Sequence, residues 1–582
     1  PEDGRTIEVV FGILPATGER KGMFVTATGG PGSAGLSSAD PYTSYFDPSI
    51  PEHFDIVFFD QRGIGQSGGL QCTEAAAVYY SAPWDATTPE GEAALIETAR
   101  TFANDCAAEM GAPDLLPYLG TEQAVEDLEF FRQTMGDEQF WLYGESYGTQ
   151  YAQTYAAAHP DRLAGLILDG TVDLTLTGLE YYDKQARAFN DVLEMTLQAC
   201  NEDEYCAESM GGGDAFTVYD TLAARLQDAP LPFEFPLPSG GFASRTFAFS
   251  DLETTAAGMV YSEGDRMLFL RALAAYSRNE DLVPLARLLY YNLYLDPDTL
   301  TPILDPTYSD GMYYGVECQD YAYEGATPEE KAEIYLRAGD AVDEALPRFA
   351  SIFYGDLPCA FWPNAREDPT RPAPLTAEGI PTLVLGSTAD PATPTQNGID
   401  VHSRLADGYL VTEIGGPHVI FGWGVSCVDD LVTAFLVDDV LPARETECEG
   451  IVADPFYPLA PLSAADFTDP LEALASFDNE LYYLPEYYYW DYVTPTTVAC
   501  PFGGTLSFSA LEDGEAIVLV ECAFSEGFAM TGGGTVIYED GSFIMDVLVS
   551  GLAEGMLNYN RDADWNIHVT GSYGGETIDL SE

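Results

Sequence analysis

The stretch FWLYGESYGTQYA, residues 140–152, decides the fold. It places Ser146 between Gly144 and Gly148 in a G-x-S-x-G pattern. An apolar run precedes the serine and a plausible helix follows it, so the pattern predicts a strand, a sharp turn and a helix. A serine on such a turn can be a nucleophile, but a glycine-rich chain also produces this spacing by chance. The choice depends on whether a base, an acid and an oxyanion donor occupy matching positions.

The segments on either side of this turn alternate between strands and helices. Their strands are near-continuous apolar runs, which are typical of a parallel sheet covered by helices on both faces. A long helical stretch interrupts this rhythm, which then returns near residue 379. Strands are predicted within residues 6–14, 22–30, 54–68, 139–144, 163–170, 379–390 and 408–418, and helices within 121–135, 180–200, 214–227, 251–277, 328–346 and 426–439.

This organisation predicts five segments. Because the insertion interrupts one sheet, the parts before and after it belong to the same α/β core. The last part has short apolar stretches punctuated by Gly and Asp-Gly, which predicts an antiparallel sandwich or barrel. The segments are a first core part at 1–175, a helical cap at 176–375, a second core part at 376–450, an aromatic connector at 451–496 and an all-β domain at 497–582.

A nucleophilic serine needs a base, and the chain contains five histidines. His418 follows a strand in EIGGPH, at the strand end where ligand-facing residues of an open α/β sheet occur. His53 precedes a strand, His159 ends a helix, His402 lies in a helical stretch and His568 lies in the β region. Placement and elimination therefore favour His418.

The acid should also follow a strand, between the serine and the histidine in the chain. Asp390 in LVLGSTADPATP meets this condition. An Asx-type turn before Pro391 is the alternative reading of that aspartate. The order Ser146, Asp390, His418, each after a predicted parallel strand, is that of a serine hydrolase built on an α/β sheet.

The oxyanion hole requires two backbone N–H groups. One should come from Tyr147, the residue after the nucleophile, and the other from a loop after an early strand. The glycine-rich segment TATGGPG, residues 26–32, supplies that loop, and glycine lets the backbone approach a tetrahedral oxygen. Gly30 is the predicted second donor, with Gly29 as the alternative.

The charge balance excludes several classes of partner. Asp and Glu total 95 against 23 Lys and Arg, which gives a formal net charge of −72. Such a field repels nucleic acids and anionic membranes. The net negative charge has two alternative explanations, adaptation to high salt and an acidic extracellular habitat. The scarcity of Lys favours adaptation to high salt. No apolar run is long enough to span a membrane, and neither a metal site nor a cofactor is predicted.

Ten cysteines fall into five local pairs, of which Cys200 and Cys206 would close a short loop. Disulfides imply an oxidising compartment, and hence secretion, whereas buried free thiols are the alternative. The chain begins PEDGRT, without the basic and apolar regions of a signal peptide, as a mature or trimmed secreted chain also would. The cysteines are Cys72, Cys106, Cys200, Cys206, Cys318, Cys359, Cys427, Cys448, Cys500 and Cys522.

The motifs in combination resemble a known family. GGPG at 29–32, DQRGIGQS at 60–67, GESYG at 144–148 and the late pair ADPATP and GGPH are similar to the secreted tripeptidyl-aminopeptidase and prolyl-aminopeptidase branch of the α/β-hydrolases. The resemblance covers roughly residues 1–450 and implies an α/β-hydrolase fold with a large helical cap. The family often has His before GGPG where this chain has Thr28, which weakens any role for an imidazole there. The resemblance does not explain the region after residue 450.

The resemblance also implies a substrate, a peptide with a free N-terminus. Its ammonium needs an anion in a desolvated site, and Glu145, Glu317 and Asp320 are the candidates. In so acidic a chain most carboxylates simply face solvent. A carboxylesterase or lipase with the same triad is the first alternative, because fold and triad do not fix the acyl group. A non-catalytic protein that binds a partner through its β-domain is the second, and no oligomeric state is predicted.

Overall fold

The computed structural model describes residues 6–84, 86, 88–366, 369 and 371–582. The start of the chain, where a signal peptide was considered, therefore lies almost wholly outside the described residues. The described chain forms two compact units. One consists of Pro1–Ala199, Ala256–Arg266 and Pro302–Asp454, and the other of Cys200–Thr255, Met267–Thr301 and Pro455–Glu582.

The strands are numbered along the chain. They are β1 Phe11–Leu14, β2 Gly22–Ala27, β3 Phe54–Phe59, β4 Phe140–Glu145, β5 Leu163–Asp169, β6 Leu231–Pro236, β7 Phe242–Phe247, β8 Thr382–Ser387, β9 Gly408–Ile414, β10 Glu445–Glu449, β11 Thr496–Ala499, β12 Thr505–Ala510, β13 Gly514–Cys522, β14 Phe528–Ile537, β15 Phe543–Gly551, β16 Gly555–Arg561, β17 Ile567–Tyr573 and β18 Glu576–Ser581.

The α-helices are numbered in the same way. They are α1 Ala39–Tyr45, α2 Ser49–His53, α3 Thr73–Tyr80, α4 Pro89–Met110, α5 Thr121–Met135, α6 Tyr147–Ala158, α7 Gly178–Glu202, α8 Glu204–Ser209, α9 Ala215–Asp228, α10 Phe249–Gly258, α11 Glu263–Asn279, α12 Val283–Asn292, α13 Asp310–Asp320, α14 Pro328–Ala345, α15 Thr395–Arg404, α16 Ser426–Asp438, α17 Pro470–Tyr482 and α18 Pro485–Tyr488. A 3-10 helix, Ala350–Ala360, follows α14.

The first unit is built on a sheet whose described strands have the order β1-β3-β2-β4-β5-β8-β9-β10. β1 pairs antiparallel with β3, and the other neighbours are parallel. Each residue of β2 and of β8 is buried, because apolar clusters with helices cover both faces. The parallel sheet predicted from the apolar runs and the α/β-hydrolase fold that the resemblance implies are both confirmed. Its consequence for the site is that β4, β8 and β9 all end at the same edge.

A helical layer belongs to the same unit. α3, α4, α13, α14 and the 3-10 helix share one apolar core. The disulfides Cys72–Cys106 and Cys318–Cys359 cross-link it. Because α3 and α4 precede residue 176, this layer also draws on the segment assigned to the first core part. The predicted helical insertion is present, and its boundaries remain a prediction.

The second unit contains an antiparallel sheet in which β11 to β18 are paired in chain order. The all-β C-terminal domain is thus confirmed. Instead of the expected sandwich or barrel, these described strands form one sheet, and α17 packs on its apolar face. α17 lies in the segment interpreted as an aromatic connector. Its apolar residues, among them Leu474, Phe477 and Leu481, are spaced for one helix face.

The predicted disulfides are confirmed. All ten cysteines are paired, each with its neighbour in the chain. The remaining bonds are Cys200–Cys206, Cys427–Cys448 and Cys500–Cys522. Within the ranges that the structure describes, none of the helices combines the length and apolar character needed to cross a bilayer.

Candidate active site

Ser146 occupies the sharp turn between β4 and α6. Its backbone is left-handed, with φ 52° and ψ −124°, a conformation that costs energy for any residue but glycine. The Ser146 N–H donates to the Asp169 carbonyl oxygen at 2.8 Å, which helps hold the turn. A Cβ at Gly148 would collide with the Ala27 carbonyl oxygen, and one at Gly144 with the Gly148 backbone. The G-x-S-x-G pattern therefore reflects close backbone packing around the serine.

Asp390 and His418 follow β8 and β9 and lie in direct contact. His418 Nδ1 is 2.9 Å from both carboxylate oxygens of Asp390. Asp390 Oδ1 also accepts the N–H groups of Ala392 and Thr393, at 2.9 and 2.8 Å, and Oδ2 accepts the Thr393 hydroxyl. The Asx-type turn is thus present too, and it fixes the carboxylate that faces the imidazole. The two readings of Asp390 are compatible.

The end of β5 connects the serine to the histidine. Asp169 bonds to Ser146 through its carbonyl, and its carboxylate accepts the N–H groups of Ile420 and Phe421, just after His418. A Cβ on the next residue, Gly170, would lie 3.1 Å from His418 Cε1. The structure therefore brings Ser146, Asp390 and His418 to one edge of the sheet.

The charge of Asp390 controls the protonation of His418. Burial lowers the pKa of the imidazole, but the Asp390 charge and hydrogen bond, with Asp169 and Glu145 nearby, outweigh burial and raise the net pKa. A histidine held in one orientation by a buried carboxylate, with raised basicity, is suited to accept a proton from a hydroxyl.

The glycine-rich loop after β2 lies against the nucleophile. A Cβ at Gly29 would lie only 2.8 Å from Ser146 Cβ, so glycine is needed for this approach. The Gly29 backbone helps lower the pKa of the Glu145 carboxyl, so Gly30 stays the predicted oxyanion donor beside Tyr147. Thr28, in place of the family's histidine, donates its hydroxyl to the Ser33 carbonyl and closes the loop.

Two of the candidate amine anchors have partners within the fold. Glu145 is half-buried, accepts the Tyr42 hydroxyl, and has a pKa raised to about 7 by burial and by the Asp169 charge. Asp320 accepts the Thr121 N–H at 3.0 Å and the Gln150 amide at 2.8 Å, at the start of α5. Both carboxylates are therefore engaged in holding elements of the site in place.

The third candidate, Glu317, forms a pair that the sequence analysis missed. Glu317 on α13 and Asp356 on the 3-10 helix are 5% and 4% exposed, and burial followed by their mutual repulsion raises the pKa of Glu317. Burial also raises the pKa of Asp356. Asp356 accepts the Tyr313 hydroxyl at 3.2 Å through Oδ2, while Oδ1 has no partner among the described residues. Glu317 Oε2 accepts the Tyr182 hydroxyl at 3.3 Å, and the charge of Arg371 and this bond offset part of the rise in the pKa of Glu317.

A signal for Asp356 was present in the sequence. The bond between Cys318 and Cys359 joins α13 to the 3-10 helix. Glu317 directly precedes Cys318, and Asp356 lies three residues before Cys359. Had consecutive cysteines been treated as fixed pairs, the two carboxyls would have been placed together.

Tyrosines line the region from His418 to this acid pair. The Tyr261 ring meets the His418 ring edge-on at a centroid distance of 5.5 Å and is 36% exposed. Tyr308 lies against Gly30, and the charges of Glu317 and Asp356 contribute to its raised pKa after burial. Neutral phenol groups can bind a peptide backbone without adding charge. In the described part of the chain, no group of three or more His, Cys, Asp or Glu is arranged to hold a metal ion.

A carboxyl without partners lies beneath the histidine loop. Glu413 on β9 is 1% exposed, and within the described residues neither of its carboxylate oxygens has a hydrogen-bond partner. A Cβ at Gly416 would lie 2.9 Å from Glu413 Cδ, so the side chain supports the loop that leads to His418. Burial, with the charges of Glu263, Asp169 and Asp429, raises its pKa from 4.5 to about 7.

We expect Glu413→Gln to stabilise the protein at alkaline pH. The folded-state pKa is raised, so the favourable contribution of neutral Glu413 is complete below pH 4.5 and is lost as pH rises through about 7. At pH 8 the variant should be more stable by up to about 3 kcal/mol, and at pH 4.5 nearly unchanged. Thermal unfolding at both pH values, with Glu447→Gln on exposed β10 as control, measures this. An equal gain at both pH values would show that ionisation is not the cause.

Two family models and several curated proteins are similar to this chain. The family described as "alpha/beta hydrolase fold" matches residues 23–208, and the family described as "TAP-like protein" matches residues 348–448. Serine protease Hip1 of Mycobacterium tuberculosis is 29% identical over 77% of this chain and 84% of its own length. Carboxylesterase B of M. tuberculosis is 28% identical over 75% and 81%. Tripeptidyl aminopeptidase of Streptomyces coelicolor is 25% identical over 76% and 80%.

Proposed function

We propose that this chain is a secreted exopeptidase that acts on free N-termini. The chain belongs to the α/β-hydrolases, in the branch with a TAP-like domain, and it is a serine hydrolase of that fold. It releases short peptides or single residues. The observation that carries the proposal is the buried pair of Glu317 and Asp356 in the same compact unit as Ser146 and His418. A peptide ammonium is the natural complement of such a pair.

The chemistry is acyl transfer through Ser146. His418 takes the hydroxyl proton as Oγ attacks the scissile carbonyl, and Asp390 stabilises the imidazolium that forms. The same proton then passes to the leaving amine, which departs as the C–N bond breaks and leaves an acyl-enzyme. Water, deprotonated by His418, then attacks the ester. The bond between Oγ and the acyl group breaks, the N-terminal fragment leaves as an acid, and His418 returns the proton to Ser146 Oγ.

The oxyanion is stabilised by the N–H groups of Gly30 and Tyr147. Tyr147 begins α6, so its N–H belongs to the positive end of that helix. The two donors are fixed by the turn and by the glycine loop, and they need no rearrangement as charge develops on the oxygen.

The acid pair fixes where the chain is cut. Asp356 Oδ1 is unpartnered in the described chain, and an ammonium with three N–H groups would satisfy it together with Glu317. The N-terminus is then held at a set distance from Ser146, so the number of residues between anchor and nucleophile sets the length released. Bound ammonium also offsets the repulsion between the two carboxyls, which gives the free amine its advantage over a blocked one.

A carboxylesterase remains the second candidate, favoured by the similarity to carboxylesterase B. A neutral ester carries no ammonium that could bind Glu317 and Asp356. For this reason we place the carboxylesterase second. Export is supported by the five disulfides, and function in high salt by the net charge of −72. Nucleic acid is not proposed as a partner.

The proposal is tested with a matched panel of substrates at low and high salt. Free-amine and N-acetyl peptidyl anilides of one to three residues are compared with short and long acyl esters by kcat/KM. We expect turnover of the free-amine peptides and a maximum at one length. Turnover of esters with no cleavage of any free-amine peptide would support the carboxylesterase instead.

A further inference from the structure

The outer face of the β11–β18 sheet carries an exposed apolar patch. Its members are Val518 and Val520 on β13, Ile544 and Leu548 on β15, and Met556 on β16, which are 48%, 52%, 45%, 56% and 59% exposed. Most of their chain neighbours, such as Ile517, Leu519, Met545, Val547 and Leu557, point inward and are buried in the core under α17. The patch is therefore a second apolar face of the sheet.

The strand between these residues keeps the face flat. On β14 the outward positions are Thr531, Gly533 and Thr535, which are small. Gly533 pairs in register with Val518 on one side, and Thr531 pairs with Leu548 on the other. Leu548 in turn pairs with Met556 on β16. The apolar side chains thus lie on β13, β15 and β16 of one face, and the small outward residues of β14 separate those of β13 from those of β15.

The same face carries few carboxylates. Asp546 accepts the neutral Asn558 amide at 3.1 Å, Asp579 Oδ1 lies 2.9 Å from His568 Nε2, and Glu521 is exposed beside Val520. Over the whole chain, 95 of the 582 residues are Asp or Glu. Other outward positions are hydroxyls and amides, such as Ser507, Ser509, Asn560, Thr570 and Ser572.

From this we infer that the outer sheet face is a self-association surface, which docks on the same face of a second copy of the chain. Two copies with a net charge of −72 repel each other over most of their surface, and a face with few carboxylates is where they can approach. Eight strands about 4.8 Å apart, with about 3.3 Å per residue, present roughly 800 Å². A stable interface buries about 800 Å² per partner, so one face is sufficient.

Other partners fit the face less well. An anionic partner would meet the net negative field of the chain before it reached the face. A neutral glycan would be indifferent to charge, but glycan sites are built on aromatic platforms, and the outward positions named above hold no aromatic ring. A second copy supplies both an apolar patch and the same hydroxyls and amides.

The dimer should strengthen with salt. Screening shortens the range of the repulsion to about 3 Å at 1 M, while burial of the apolar patch persists. Sedimentation equilibrium of the purified full chain at about 1–50 µM, in 0.1 M and 2 M NaCl, measures this. We expect a mass of two chains at 2 M, with a lower dissociation constant than at 0.1 M. A mass of one chain at both salt concentrations would overturn the inference.

Leu548→Asp tests whether this face is the contact. In a twofold dimer the change acts twice, by placing an unpaired carboxylate against apolar side chains, and we expect the dissociation constant to rise about 100-fold or more. Leu304→Asp, at a leucine that is 55% exposed and lies outside the sheet, is the matched control and should leave the dimer intact. Far-UV circular dichroism and peptidase activity should be unchanged in both variants.

Two results would contradict the assignment of the dimer contact to the outer face of the β11–β18 sheet. A dimer that Leu548→Asp and Met556→Asp leave as tight as the wild type must use another surface. A monomeric wild type that co-sediments with chitin, and loses this binding in Leu548→Asp, would make a glycan the occupant. Neither result bears on peptide hydrolysis, so failure here is distinguishable from failure of the proposed function.

Discussion

Ser146→Ala should lower kcat for peptide hydrolysis by at least about 10⁴-fold, because removing the hydroxyl leaves no nucleophile for acyl transfer. Binding should be nearly unchanged, since the Ser146 side chain does not hold the substrate. The turn itself should survive, because its left-handed conformation is held by the Asp169 carbonyl and by the close packing of Gly144 and Gly148. Single-turnover kinetics with a free-amine peptidyl anilide measures the loss.

Two controls separate chemistry from folding. Thermal unfolding should show no loss of stability in Ser146→Ala, and a product-like peptide should bind it as tightly as it binds the wild type. Ser33→Ala, in the loop after β2, leaves the nucleophile in place and should retain most activity. If Ser146→Ala retained more than about a tenth of wild-type kcat, Ser146 would have no place in the mechanism.

Removing the acid pair should have the second largest effect. Glu317→Gln combined with Asp356→Asn keeps shape and removes charge, and should lower kcat/KM for free-amine peptides about 100- to 1,000-fold. Most of the loss should be in KM, because the ammonium is bound in the ground state as well as in the transition state. Hydrolysis of a small neutral ester should change little, since an ester has no ammonium.

The free energy of unfolding of the same double variant provides a second test. Both carboxyls have raised pKa values because they are buried, so neutralising them should stabilise the fold above neutral pH and change it little below pH 4. Glu333→Gln, at an exposed position on α14, serves as the control and should affect neither activity nor stability. An equal loss of ester and peptide hydrolysis in the double variant would mean that the pair supports the fold of the site and binds no amine.

The sequence predicted the site best where residues of suitable chemistry lie directly after predicted strands. The turn at Ser146, the strand ends before Asp390 and His418, and the glycine loop all lie at boundaries that apolar runs and glycines mark clearly. The parallel sheet follows from the same runs, because a strand buried on both faces has no polar positions. The structure places the three residues together, and it adds Thr393, which bridges Asp390 and His418.

The amine anchor could not be selected in the same way. Glu145, Glu317 and Asp320 have the same chemistry in sequence and differ only in their partners, which tertiary packing supplies. Asp356 lies in a 3-10 helix without apolar periodicity, and only the disulfide relates it to Glu317. The helix α17 within the predicted connector was not anticipated, because the aromatic residues and prolines around it obscured its helix period.

The most direct test of the central claim is the mass of the enzyme trapped during turnover. A tripeptidyl thioester with a free N-terminus is mixed with the protein, quenched in acid within milliseconds and analysed by intact-mass and peptide-mapping spectrometry. We expect an added mass equal to the N-terminal peptidyl group, located on Ser146, and far less adduct from the N-acetyl thioester. Equal adducts from the free and blocked thioesters, or an adduct on another residue, would contradict it.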